Sequence, residues 1–214
     1  MKKSFPAGRR LASAALAGLL TLVATTVALI GGSPAFAAAD GWYMLMNDYY
    51  DGDVGDGKRH CLSANGDTSP SGAGTHKVYL AVCNAATIGQ WWYIYADWAS
   101  VYGRTTTITN RQTWDGFEWE LSGNTSTPSG GASGTYGAYT AANNPISSHQ
   151  WDIKFESGTN RFRLENDSSG YQLSTSAADP YAGNLYRVYT SSYNFSSPAP
   201  AQVWRLYAPS SPPS

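Results

Sequence analysis

From about residue 42 onward, short stretches of alternating apolar and polar residues recur, separated by turn-rich segments such as 66–74, 122–134 and 175–183. Side chains two apart on a strand share a face, so each stretch predicts a short half-buried strand. Four of these stretches keep one order, three times over. The first carries an apolar residue two positions before Asn: Leu45 and Asn47, Ile108 and Asn110, Leu164 and Asn166. The second is a Leu-Ser pair, at Leu62-Ser63, Leu121-Ser122 and Leu173-Ser174. The third is a small apolar residue before Tyr, at Val78-Tyr79, Ala138-Tyr139 and Val188-Tyr189. The fourth places a hydrogen-bonding residue two before Trp and four before Ile or Leu: Gln90, Trp92 and Ile94; His149, Trp151 and Ile153; Gln202, Trp204 and Leu206.

From the Leu of the second element to the Gln or His of the fourth, the separations are 28, 28 and 29 residues, a regularity that chance recurrence does not give. Four strands per repeat make about twelve in all. Trp92, Trp151 and Trp204, with Gln90, His149 and Gln202 beside them, are expected as core anchors of a threefold arrangement in which each unit buries the face its neighbours need. The expected fold is all-β, a β-trefoil of three roughly 50-residue, four-stranded repeats at about 42–98, 102–156 and 160–207.

Composition agrees with this reading and sets the compartment. The 214 residues are 42% hydrophobic and 14% charged, which excludes a disordered chain, and 22 Gly with 14% aromatics favour strands and loops over helical faces. Lys2, Lys3, Arg9 and Arg10 precede an apolar run from Leu11 to Ile30 and the small-residue site Ala35-Phe36-Ala37. Residues 1–38 therefore read as a secretory signal peptide, 39–209 as the single domain and 210–214 as a Pro/Ser-rich tail. The run is also long enough for a membrane anchor, but its Ala, Thr and Gly content and its cleavage site favour removal, and Arg9-Arg10 leaves the export route open. Removal takes away four of 14 basic residues and none of the 15 acidic ones, leaving a net charge of −5, so neither nucleic acid nor, once the leader is gone, a membrane is an expected partner. Cys61 and Cys83, an even count in an exported chain, read as one disulfide.

Gln-x-Trp near the end of each repeat, with Cys61-Leu62 and Cys83-Asn84 in the first, resembles the ricin-type β-trefoil lectin family over essentially the whole mature chain. The resemblance implies a bridge within the first repeat. It also implies sugar pockets inside the repeats, built from an Asp after Cys-Leu, an aromatic platform on the third strand and an Asn before the Gln. Here the Asp position holds Ser63, Ser122 and Ser174, the platform Ala81, Ala141 and Ser191, and the Asn position Gly89, Ser148 and Ala201. A hydroxyl is a weaker acceptor for sugar hydroxyls than a carboxylate. Tyr79, Tyr139 and Tyr189 stand two residues before the vacated platforms and, by alternation, on the same face. Each offers a flat apolar ring and a hydroxyl, as carbohydrate recognition needs; alternatively the three cover the barrel between its loops. These tyrosines and serines are the expected carbohydrate-binding residues.

The turn from Trp114 to Trp119 carries aromatics and two carboxylates, which suits either an exposed glycan platform or packing under a loop. The acidic, Gly-rich turn 48–57 has carboxylates for calcium but not the EF-hand spacing, and no metal or cofactor is expected. His60, His76 and His149 lie in unrelated contexts and form no catalytic signature, so no enzymatic activity is expected. The function expected from this is a secreted, extracellular, lectin-like protein that binds glycan or polysaccharide without catalysis. The other reading is a degenerate trefoil acting as a protein-binding module or inhibitor toward another secreted protein.

Overall fold

The computed structural model describes residues 40–51, 57–68, 74–95, 105–114, 116–128, 134–143, 146–156, 159–181, 185–192 and 200–209. The leader and the C-terminal tail of the sequence reading lie outside them. Among the described residues twelve strands occur, in three sets of four. The first set is β1 (Gly41–Asp51), β2 (Arg59–Thr68), β3 (Thr75–Val82) and β4 (Trp92–Ile94). The second is β5 (Ile108–Trp114), β6 (Phe117–Pro128), β7 (Thr135–Ala142) and β8 (Trp151–Phe155). The third is β9 (Arg161–Asn166), β10 (Gln172–Tyr181), β11 (Leu185–Ser191) and β12 (Trp204–Tyr207). A short 3-10 turn precedes each fourth strand, at Ile88–Gln90, Ser147–His149 and Pro200–Gln202.

Alternation decides which face each strand buries. In β9, Phe162, Leu164 and Asn166 are buried while Arg161, Arg163 and Glu165 are partly exposed. The first and fourth strands of every set close a ring: β1 pairs with β4 and β12, β4 with β5, and β9 with β8 and β12. The remaining gap, between β5 and β8, is bridged by Thr106 and Trp151, which exchange backbone hydrogen bonds of 2.8 Å in both directions. The hairpins β2–β3, β6–β7 and β10–β11 form a triplet in which β3, β7 and β11 pair with one another. A closed six-stranded ring carrying a triplet of hairpins is the β-trefoil, and closure leaves the ring without the unpaired edge that invites aggregation.

The core takes the same residues from each repeat. Leu45, Ile108 and Leu164 meet Leu62, Leu121 and Leu173 and the three anchoring tryptophans, all fully buried. Each indole Nε1–H also donates to the carbonyl of the Leu-Ser leucine: Trp92 to Leu62 at 2.9 Å, Trp151 to Leu121 at 2.8 Å and Trp204 to Leu173 at 3.0 Å. A fully buried tryptophan needs that partner, and finding it in the same place three times fixes ring and hairpin together. The recurring asparagines carry the second connection. Asn110 donates to the carbonyls of Gly89 and Trp91, Asn166 to those of Ser148 and Gln150, and Asn47 to those of Ala201 and Val203. Each repeat is thus stapled to the turn of the one before, and the first is stapled to the last.

Cys61 and Cys83 are bonded, with Cα atoms 5.0 Å apart, joining the start of β2 to the residue after β3. A second apolar cluster of Met44, Met46, Cys61 and Trp91 surrounds the bridge.

Candidate functional site

The serines and tyrosines expected to hold sugar sit opposite one another across each hairpin: Ser63 faces Tyr79, Ser122 faces Tyr139 and Ser174 faces Tyr189. Each repeat therefore brings its pair together. The serines are 1%, 0% and 1% exposed, however, which leaves an incoming sugar no route to them without displacing a neighbour. Ser122 donates to the carbonyl of Ser148 at 3.2 Å, and Ser174 is satisfied by the Gln172 carbonyl and the Ser191 hydroxyl. Tyr189 donates its hydroxyl to the Thr175 carbonyl at 3.1 Å, and burial pushes that hydroxyl's pKa above the usual tyrosine value. In the first repeat the turn presses directly on β2. A Cβ at Gly89 would lie 2.3 Å from the Ala64 carbonyl oxygen, so the side chain that the lectin pocket needs at this position has no room.

The anchors beside the tryptophans hold the turns. Gln90 accepts from the Asn84 amide at 2.7 Å and donates to the Val82 carbonyl at 3.1 Å, and Gln202 donates to Ser191 at 2.9 Å. His149, the histidine at the Gln position, instead meets Glu120, with Nδ1 3.0 Å from the carboxylate and both side chains buried. Of the acidic turn 48–57, residues 52–56 lie outside the described residues, and the Asp48 carboxylate is held by Arg161 and Arg205. Among the described residues no group of three or more metal-ligating side chains converges. In the Trp114–Trp119 turn, Trp119 is buried against His76, Phe117 is 60% exposed, Glu118 is exposed, and the Trp114 side chain lies outside the described residues, as does Asp115.

The repeats differ most on the outer face of the ring, at the three junctions between them. Matching strand registers on Asn47, Asn110 and Asn166 makes Trp42, Thr105 and Arg161 equivalent, and likewise Tyr93, Asp152 and Arg205, and Arg111, Asp167 and Asp48. At the junction of repeats three and one these positions hold the ion pairs of Asp48 with Arg161 and Arg205. At the junction of two and three, Lys154 pairs with Glu165 at 2.6 Å and with Asp152 at 3.6 Å. The junction of one and two carries rings instead. Trp42 packs edge-to-face on Tyr93, with centroids 5.2 Å apart, and Tyr93 packs likewise on Tyr95 at 4.8 Å.

A cleft of about 260 Å³ opens beside these rings, lined by Trp42, Ile88, Thr109, Arg111, Thr113 and Glu118, with buried Asn110 at its base. The Arg111 guanidinium lies over the Trp42 ring, 5.1 Å from its centroid, so an indole orients a planar donor at the cleft wall. Ile88 and Glu118 are exposed, bringing an apolar contact and a carboxylate to the same opening. Burial first, then Tyr93, then the carboxylates of Glu118, Asp40 and Glu120 push the Tyr95 hydroxyl's pKa up. The cleft thus combines an aromatic and apolar surface, a bidentate donor, an anionic acceptor and two hydroxyls, which is chemistry for binding polyhydroxylated molecules. Trp42 falls outside the four repeated elements of the sequence, and nothing local marks Arg111 as its partner.

With the fold and this geometry established, comparison places the chain among β-trefoil structures. A designed threefold-symmetric protein, ThreeFoil, matches with a TM-score of 0.55 at 17% identity, over 79% of this chain and 99% of its own. A mosquitocidal holotoxin matches at 0.54 and 18%, over 78% of this chain and 17% of the toxin. An exo-β-1,3-galactanase from Clostridium thermocellum matches at 0.53 and 15%, over 78% of this chain and 30% of the enzyme. No protein-family model and no curated protein sequence matches the chain. At such identities the likeness is one of fold.

Proposed function

We propose that the protein is a secreted, non-catalytic carbohydrate-binding protein that recognises glycan or polysaccharide outside the cell. The single observation that carries this reading is the junction cleft, where Trp42, Arg111, Glu118, Thr109 and Thr113 present stacking surface and hydrogen-bonding groups together. A pyranose has an apolar C–H face and a polar rim; the first suits an indole or Ile88, the second a guanidinium and a carboxylate. Resemblance to ricin-type lectins and a fold shared with part of a galactan-degrading enzyme support it. The leader at 1–38 supports export, and the chain's histidines and carboxylates do not form a catalytic signature.

The test is binding of the purified protein to an array of glycans and to insoluble polysaccharides, with and without a calcium chelator. Retention on at least one carbohydrate, unchanged by chelation, is expected, because Asp48 is engaged by arginines. A second reading, a protein-binding trefoil, draws on the exposed Phe117 and Ile146, 60% and 46% accessible, together with the buried repeat serines. Blank carbohydrate assays from a folded protein would favour it.

A further inference from the structure

The junction face extends beyond one pocket. Trp42 on β1, Tyr93 on β4 and Tyr95 just after it form a continuous file of rings, and the cleft opens where the file meets β5 and β6. Thr109 stands directly across from Tyr93, and Arg111 and Thr113 continue the same face of β5 by alternation. Stacking and hydrogen-bonding groups therefore run along a surface open at the side, where a terminal-sugar site would be a closed cup. The charges on this surface balance or are negative: Arg111 and Glu118 line the same cleft, and the exposed carboxylate of Asp40 also acts at Tyr95. A polyanion would meet repulsion here, and a neutral chain would not.

Resting on the carbohydrate-binding reading, we infer that the outer face at the junction of repeats one and two binds an internal stretch of a neutral polysaccharide. It does so along Trp42, Tyr93, Tyr95, Arg111 and Glu118, in place of a terminal sugar held in the pocket of a single repeat. At the pseudo-equivalent faces Trp42 gives way to Thr105 and Arg161, Tyr93 to Asp152 and Arg205, and Tyr95 to Lys154 and Tyr207, with Asp152 and Arg205 drawn into ion pairs, so the file of three rings occurs at one junction of the three.

Native affinity electrophoresis of the full secreted chain tests this, in gels containing neutral polysaccharides (galactan, xylan, mixed-linkage glucan, mannan) or polygalacturonate, with monosaccharides and oligosaccharides of increasing length as competitors. The probe variants are Glu118→Ala and Tyr95→Ala, both at exposed side chains, and Tyr79→Phe with Tyr189→Phe as the repeat-pocket control. The expected result is retardation by at least one neutral polysaccharide, competition that strengthens with oligosaccharide length, and a loss of about tenfold in affinity for each junction variant, as removal of one charged hydrogen bond or one stacking ring gives. Retardation that survives both junction substitutions, is lost with the tyrosine control, is confined to polygalacturonate, or is abolished equally by a monosaccharide would overturn the inference while leaving carbohydrate binding intact. No retardation in any gel, by protein of unchanged thermal transition, would overturn the carbohydrate-binding reading itself.

Discussion

At the residue scale, the anchoring tryptophans do two jobs at once, filling the core and satisfying a hairpin carbonyl. Truncating Trp204 to Ala removes both, and a loss of about 3–5 kcal/mol in denaturant unfolding is expected. The pair of His149 and Glu120 gives a sharper contrast. His149→Ala leaves a buried carboxylate without its partner, with an expected cost of about 3 kcal/mol or more, whereas His149→Gln combined with Glu120→Gln is expected to recover most of it. Equal losses for the single and the double variant would show that the pair is not coupled. Tyr189 links structure to pH. Its hydroxyl titrates higher in the fold than in the unfolded chain, so its contribution is complete below about pH 10 and is lost as pH rises through the folded value. Tyr189→Phe is expected to flatten that alkaline decline in thermal melts recorded from pH 8 to 11.

At the element scale, repetition explains both what could be read from the sequence and what could not. The periodic residues located the strands and the core leucines and tryptophans, because a threefold fold asks the same thing of the same position three times, whereas the segments 122–134 and 175–183 read as turns are in part strand, β6 running to Pro128 and β10 to Tyr181. The recurring Asn was visible as a pattern, but its task of stapling one repeat to the turn before it depends on the closed ring and has no local signal. The contact of Glu120 with His149 spans 29 residues, and the stacking of Arg111 on Trp42 spans two repeats, so neither follows from alternation. The candidate site was legible least of all, since it lies where the repeats depart from one another. Gly89 shows why a resemblance can assign a side chain that the fold does not admit: only the packing of turn against β2 reveals that none fits there. The disulfide is an element-scale brace, present in one repeat and absent from two. Its loop of 22 residues corresponds to a stabilisation of about 3 kcal/mol, so reduction is expected to lower the melting temperature without abolishing the strand signal in circular dichroism.

At the scale of the whole molecule, the ring must close for any junction to exist. β12 pairs with both β1 and β9, Asn47 fastens the first repeat to the last turn, and Asp48 pairs with Arg161 and Arg205 across the same seam. Ion pairs of partly exposed arginines add little by themselves, so the backbone pairing and the buried amide carry this closure. A chain ending before Pro200 loses β12 and is expected to lack a cooperative unfolding transition rather than to melt as two repeats. Closure also makes the departures from symmetry informative. Two junctions carry charge pairs where the third carries Trp42 and Tyr93, so a protein with threefold architecture is expected to have a single binding face of this kind. Isothermal titration tests this most directly, using an oligosaccharide cut from whichever polysaccharide retains the protein. A stoichiometry of one per chain, abolished by Glu118→Ala, is the expected result; three equivalent sites per chain, indifferent to that substitution, would place recognition back inside the repeats and contradict the account.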